Sequence, residues 1–267
     1  MATPVNHSVI KAFQILNAFS YAGEKLTLSQ VARKLDINIA TAHRFLTTLQ
    51  QVGAVVKMPD GHFELGLLLF ALGGRVSVID AMNSIVQPHV DELADQFGET
   101  IHAAILDNDE VCYVAKGEVA RSLTIRTRMG TRLPAYCTGV GKVLLSRLSD
   151  DYCKQYAKTC TFKKYTDSTI GTAKQLLKEL DQIRTQGYSV DNEEFERGLR
   201  CVAVAIPMPT SEEYHLQAAI SMSAPSARLG EEKMKEVADI LRSHAETIAS
   251  ELSARDIRES EPVNKSV

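Results

Sequence analysis

Three short segments carry side chains whose types and spacing could act on a small molecule. Gly130–Lys142 is rich in glycine and small polar residues and ends where a helix is predicted to begin. Backbone N–H groups at a helix N-terminus favour an anion, and glycine lets a ligand approach the main chain closely. The spacing is not that of a nucleotide loop. G-x-x-x-x-G-K-[ST] needs Gly at 136 and Ser or Thr at 143, where the chain has Tyr136 and Val143, and G-x-G-x-x-G fails at Leu144. A small carboxylate fits better. Asp191–Cys201 is a charge run, which on composition alone is a solvated loop. In Ala219–Pro225, Ser221 and Ser223 alternate along a predicted strand and share one face.

A fourth set could read DNA. Ala40, Thr41, Arg44, Thr47, Thr48 and Gln51 project away from an apolar stripe containing Phe45 and Leu46, with His43 at the border. Arg can bond a guanine edge through two N–H groups, a Thr methyl can touch a thymine methyl, and Thr and Gln reach phosphates. Lys57 and His62 lie where a wing would meet the backbone or minor groove. Thr27 and Ser29, at the start of the preceding helix, complete the expected DNA-binding set.

The elements that must position these residues are legible as patterns. Val9, Phe13 and Leu16 mark one face of a first helix. Leu28, Val31, Ala32 and Leu35 recur at helical spacing behind a Thr27/Gln30 capping box. Ala42, Phe45, Leu46 and Leu49 repeat that spacing, with Asn38 as N-cap and Gly53 as stop. Two amphipathic helices joined by a turn of about three residues form a helix-turn-helix. Pro59-Asp60-Gly61 then turns a β-hairpin, which adds the wing. Residues 66–98 read as helical, broken near Gly73-Gly74 and marked by Pro88. Further on, strands are predicted at Ile101–Leu106, Val111–Lys116, Ser122–Arg126, Cys201–Ile206 and Tyr214–Met222. Helices are predicted at Val140–Ser146, Asp150–Lys158, Ala173–Gln186 and Glu231–Leu252. The fold class is α+β: a winged helix-turn-helix at 1–65, a linker helix at 66–80, an antiparallel-sheet domain at 81–253 and a flexible tail at 254–267.

Composition excludes several classes. With 45% hydrophobic and 24% charged residues the 267-residue chain is an ordinary globular one. The net charge of −3 divides unevenly: residues 1–65 hold six basic and four acidic side chains, +2, leaving −5 for the rest. The sign suits a nucleic-acid-facing N-terminal module. Five cysteines without a CxxC pair fit reduced thiols rather than a disulfide framework or zinc site. No signal peptide or membrane span is read, so a cytoplasmic protein is expected.

Taken together, Thr41–Leu46, Leu133-Pro134 leading into Thr138–Lys142, Gly198–Cys201 and Ala219–Pro225 resemble the IclR (isocitrate lyase regulator) family of bacterial transcription factors over about residues 6–252. The resemblance implies a winged helix-turn-helix, a linker helix and a GAF/PAS-like effector domain. It also implies a homodimer or homotetramer that binds a palindromic double-stranded DNA operator as a repressor, under the control of a small organic or aromatic acid bound in the C-terminal domain. By position it assigns Gly139 and Val140 N–H groups to a carboxylate, Asp191, Cys201, Ser221 and Ser223 to polar contacts, and Ile125, Leu133 and Leu199 to an apolar wall. Two departures stand out: Asn38 where the family often has Pro, and Val140 where Ala is common.

Two other classes have a basis in the residues. Cys137 and Cys201, with Lys142 and Arg200 near in sequence, could belong to a thiol redox enzyme, but no His/Asp partner stands at a telling spacing. A winged helix can also bind protein, and steep salt dependence separates the two cases. No catalytic residue, cofactor or metal site is expected: His89, His102, His215 and the cysteines show no ligand motif.

Overall fold

The computed structural model describes residues 4–76, 81–107, 109–118, 127–207 and 217–260, the last six through their backbone. The chain divides into two compact units, Met1–Ile79 and Asp80–Val267.

The first unit contains α1 (His7–Asn17), α2 (Leu28–Lys34), α3 (Ile39–Gln51), β1 (Val55–Lys57), β2 (Phe63–Leu65) and α4 (Leu67–Gly73). Local chemistry sets most of these limits. Thr27 and Gln30 form the reciprocal capping box that starts α2. Asn38 caps α3, its Oδ1 accepting the Ala40 N–H at 2.7 Å. Between the two helices Asp36 takes a left-handed conformation, φ 51°, which short polar side chains tolerate and which lets the turn close in three residues. β1 and β2 pair antiparallel with Lys57 opposite Phe63. Ile15, Val31, Leu46, Val55 and Phe63 form the core.

In α1 the predicted stripe is displaced. Val9 and Phe13 are 51% and 61% exposed, whereas Ile15 is fully buried. The helix meets the core through its C-terminal half, with Ala12, Ile15 and Leu16, so its buried face is rotated from the one the pattern marks. α4 ends at Gly73, with Gly74 as its cap, and leaves Leu67 and Phe70 about four-fifths exposed. Residues 77–80 of the predicted linker lie outside the described residues.

The second unit opens with one wide π-turn, Met82–Val86, that runs into α5 (Gln87–Phe97). Pro88 has no N–H for the carbonyl four residues back, and its ring crowds that position, which is a standard cause of such widening. Then follow β3 (Thr100–Asp107), β4 (Glu110–Gly117), β5 (Arg132–Pro134), α6 (Gly139–Ser146), α7 (Asp150–Thr159), α8 (Ala173–Gln186), β6 (Ser189–Asn192), β7 (Leu199–Ala205), β8 (Ala218–Pro225) and α9 (Glu231–Ser260). The strands form one antiparallel sheet in the order β5-β4-β3-β8-β7-β6. Side chains alternate across it. One face carries Ala104, Tyr113, Ala203 and Ala219 into a core with α6, α7 and α8. The other face, with residues such as Val202 and Ile220, is covered by α5 and α9.

The helices α6, α7 and α8 and the β3–β4 hairpin match the sequence reading. Three features differ. Ser189–Asn192 is a strand, although its charged continuation reads as a loop, because it pairs along β7 and buries Ser189 and Asp191. β8 runs from Ala218 to Pro225, later than Tyr214–Met222, and residues 214–216 are outside the described set. α9 continues past Leu252 to Ser260, through the start of the expected tail, since no Gly or Pro interrupts it before Pro262. The predicted strand Ser122–Arg126 is also outside the described residues. Among the described residues no helix is long and apolar enough to cross a membrane.

The capping box yields a test. Thr27→Ala should cost the first unit about 1 kcal/mol, read as a lower urea midpoint for that unit.

Candidate functional site

The first unit presents α3 with one buried and one open side. Ala42, Leu46 and Leu49 are buried, while Ala40, His43, Arg44, Thr47 and Thr48 are exposed and Thr41 lies half-buried at the edge. Arg44 sits at the centre of the open side by helical spacing, its guanidinium carbon 5.9 Å from the Phe45 ring centre. Thr48 donates its hydroxyl to the Arg44 carbonyl at 3.0 Å. On the hairpin, Lys57 is exposed, with its ammonium 5.8 Å from the Phe63 ring centre, and His62 is held by Asp60 at 3.2 Å. Ser29 is exposed. Thr27 is already engaged, its hydroxyl bonded to both the N–H and the side chain of Gln30, so its hydroxyl serves the helix start.

The second unit holds a cavity of about 200 Å³ between the sheet and the N-terminus of α6. Strand register builds its floor. Asp191 on β6 stands opposite Cys201 on β7, and Cys201 opposite Ser223 on β8. One rung of the sheet therefore brings together three residues far apart in sequence. The neighbouring rung places His102 of β3 opposite Ser221 of β8, and Ser221 opposite Ala203 of β7. The small Ala203 leaves space between them. Leu133, Leu199 and Phe195 supply apolar wall, and Gly139 and Val140 close the helix side. Eight of the nine residues assigned by position to an effector thus line one cavity. The ninth, Ile125, lies outside the described residues.

The start of α6 is fixed tightly. The Thr138 hydroxyl donates to the Pro134 carbonyl and accepts the Gly141 N–H, both at 3.2 Å. A methyl group on Gly141 would stand 2.3 Å from the Ala135 carbonyl oxygen, so only glycine fits that crossing. The cap uses the Gly141 N–H and leaves the earlier first-turn donors, those of Gly139 and Val140, on the cavity wall.

The polar groups have shifted acidities. Burial, reinforced by the Glu194 carboxylate, raises the Asp191 carboxyl to about 7, although it accepts the Glu194 N–H at 2.7 Å. Burial, with the Lys116 charge, lowers His102 to about 3, so its imidazole is neutral. His102 Nε2 pairs with the Thr127 hydroxyl, and its buried Nδ1 has no hydrogen-bond partner among the described residues. The Ser223 hydroxyl donates to Cys201 Sγ at 3.1 Å. Burial pushes the Cys137 and Cys201 thiols up. A nucleophilic thiolate needs the opposite. Arg200 bonds Asn192 and the Leu229 carbonyl, which leaves the redox reading without its electropositive setting.

Lys142 is also turned to a structural task. Its ammonium, 1% exposed, pairs with Glu194, bonds Glu179 at 2.9 Å and donates to the Val190 carbonyl at 2.7 Å. Burial alone would lower its pKa. The two carboxylates outweigh burial and raise it.

Sequence reasoning missed His102, Tyr113, Thr127, Thr131, Thr138, Phe195 and Glu196, which also line the cavity. Only strand pairing could have found His102, since a histidine in an apolar strand is ordinarily a core residue. The histidines considered for a metal do not converge: His102 is in this cavity, His89 lies beside His244, and His215 is outside the described residues.

Breaking the buried ion cluster should be costly. Lys142→Met is expected to lose about 3–5 kcal/mol in denaturant unfolding, because Glu194 is left buried without its partner. Adding Glu194→Gln should recover much of that loss. Unchanged stability of the single variant would show that the cluster does not hold the unit.

Comparison with known proteins agrees with both halves. Residues 8–59 match the IclR helix-turn-helix domain, and residues 76–250 match the bacterial transcriptional regulator IclR C-terminal domain. The HTH-type transcriptional regulator KdgR of Escherichia coli (strain K12) is 34% identical over 252 residues, 93% of this chain and 94% of that protein. The transcriptional repressor IclR of the same organism is 29% identical over 238 residues, 88% of this chain and 86% of that one. The crystal structure of an IclR homologue from Microbacterium hydrocarbonoxydans, complexed with 4-hydroxybenzoate, superposes with a TM-score of 0.78 at 23% identity, covering 92% of this chain and 99% of that chain. With a recognition helix and wing at one end and these matches along nearly its whole length, the chain belongs to the IclR family of DNA-binding transcriptional regulators.

Proposed function

We propose that the protein is a repressor whose hold on a palindromic operator is controlled by a small organic or aromatic acid bound in the cavity of the second unit. The observation that carries this reading is the convergence of the α6 N-terminus with the Asp191–Cys201–Ser223 rung around one cavity. An apolar cavity of about 150 Å³ holds a benzene. A volume near 200 Å³ therefore suits one ring, or a six-carbon chain, with polar substituents. The Gly139 and Val140 N–H groups would take the acid group, Leu133 and Leu199 its apolar body, and Ser221, Ser223 and Cys201 a polar substituent. His102 Nδ1 supplies a further hydrogen-bonding position. The complex of the Microbacterium hydrocarbonoxydans homologue with 4-hydroxybenzoate, and the repressor name of the Escherichia coli relative, support the ligand class and the sign of control.

On the DNA side, Ala40, Thr41, His43, Arg44, Thr47 and Thr48 would face the major groove, and Ser29, Lys57 and His62 the flanking backbone, with Thr27 setting the helix that carries Ser29. One recognition helix reads too few base pairs for tight selection, so two copies would bind half-sites spaced by about one helical turn or a multiple. The exposed Val9 and Phe13 on α1, and Leu67 and Phe70 on α4, give such a homodimer or homotetramer apolar surface to bury. The effector would act by favouring one arrangement of the DNA-binding heads.

Footprinting on the protein's own upstream DNA tests the reading. A two-fold symmetric footprint, steep salt dependence and release by one acid are expected, and no specific footprint at low salt would sink it. Arg44→Ala should weaken operator binding by about 10- to 100-fold and relax sequence preference.

The raised Asp191 carboxyl predicts a pH profile. The titratable groups facing the acid are Asp191 and Glu196, with neutral His102, Tyr113 and Cys201 around them and the Lys142–Glu194 pair behind. Below pH 7 Asp191 is protonated and can donate to the ligand; above pH 7 it is ionised and repels it. Affinity for an anionic acid should fall by up to about tenfold per pH unit above 7, and Asp191→Asn should flatten the profile in calorimetric titration. The same shift acts on the free protein. A carboxyl with a raised folded pKa binds its proton more tightly when folded, so its contribution to stability falls as pH rises from its unfolded value towards 7.

A further inference from the structure

We propose that the second unit carries a divalent-metal site of the zinc type, built from His89 and Glu92 on α5 and His244 on α9, separate from the cavity. His89 and Glu92 are three residues apart on one helix and so share a face. His244 reaches them from a helix 155 residues away from His89. The Nδ1 atoms of the two histidines stand 3.0 Å apart, with the rings nearly perpendicular at 85°. One ligand atom from each of the three residues lies within 4.8 Å of the others.

Two imidazoles and one carboxylate are the donors of an open zinc site, which keeps a fourth position for water. A tetrahedral ion about 2.0–2.1 Å from each nitrogen would hold the pair roughly 3.3 Å apart, a few tenths of an ångström wider than they stand. The second nitrogen of His89 faces a carboxylate, with Glu251 Oε1 at 3.6 Å from Nε2. Glu251 is two turns beyond His244 on α9, so the ring of His89 is gripped at both ends by one helix. A carboxylate on the far nitrogen orients a metal-binding imidazole and sets its tautomer, so that the lone pair points at the ion. Asp91, beside these residues, is bonded instead to Gln87 at 2.8 Å. Both histidines are half-buried and Glu92 is exposed, which gives an ion a route in from solvent. A bound ion would join the first helix of the unit to its last.

The test uses untagged full-length protein stripped of metal with chelator. It is titrated with Zn²⁺ by calorimetry and with Co²⁺ by visible absorption. One ion per chain is expected, with Co²⁺ bands of nitrogen and oxygen ligation and no thiolate charge-transfer band. His244→Gln and Glu92→Gln should each weaken binding at least about tenfold, with the fold checked by circular dichroism, while Cys201→Ser leaves it unchanged. Zn²⁺ should raise the thermal midpoint of the native chain more than that of either variant. Failure to take up an ion, binding unaltered in both variants, or loss of binding in Cys201→Ser would overturn the proposal.

Discussion

A single buried ammonium organises the second unit. Taking a charge out of water costs several kcal/mol, and only close, complete pairing offsets it. Lys142 therefore has to find Glu194, Glu179 and the Val190 carbonyl together. Those partners come from a helix, a strand and the turn that follows it, so one atom fixes α6 against α8 and β6. The cavity inherits its character from this cluster. Glu194, held in place by Lys142, is one of the groups that raise Asp191, and the backbone around Glu194 hydrogen-bonds the Asp191 carboxylate. The pKa of this carboxyl on the cavity floor is set first by burial and then adjusted by a pair that does not line the cavity, Glu194 raising it and Lys142 lowering it. The tight crossing at Gly141 adds the second constraint, placing the start of α6 against the sheet with no room for a side chain.

The N-terminal unit was readable because its information is local. Caps, the three-residue turn and the 3.6-residue repeat each lie within a few residues of what they determine. The same holds for α7 and α8, whose capping residues Ser149 and Thr172 adjoin the helices they start. The displaced face of α1 shows the limit. Its periodicity marks Val9 and Phe13, yet which face is buried depends on where α3 crosses, and only Ile15 and its neighbours reach the core.

The candidate cavity was legible only in pieces. Its glycine-rich helix start and its alternating serines carry local signals, whereas Asp191 sits in a segment that looks solvated. That segment becomes a buried strand through pairing with β7, an interaction between residues whose mutual register no local pattern states. His102 was hidden for the same reason: its place beside Ser221 exists only once β3 and β8 are adjacent. The resemblance to a family supplied the grouping, and strand register supplies its physical cause. The convergence of His89 with His244 had no sequence signal at all, because it depends on two helices packed on the same side of the sheet.

The five cysteines have a consequence of another kind. Burial raises all five thiols above their ordinary range, through different surroundings in each case. Peroxide and electrophiles attack the thiolate, so at neutral pH none of the five is primed as an oxidant sensor. Oxidative chemistry at this protein would then fall on its methionines, such as the exposed Met129, before its cysteines.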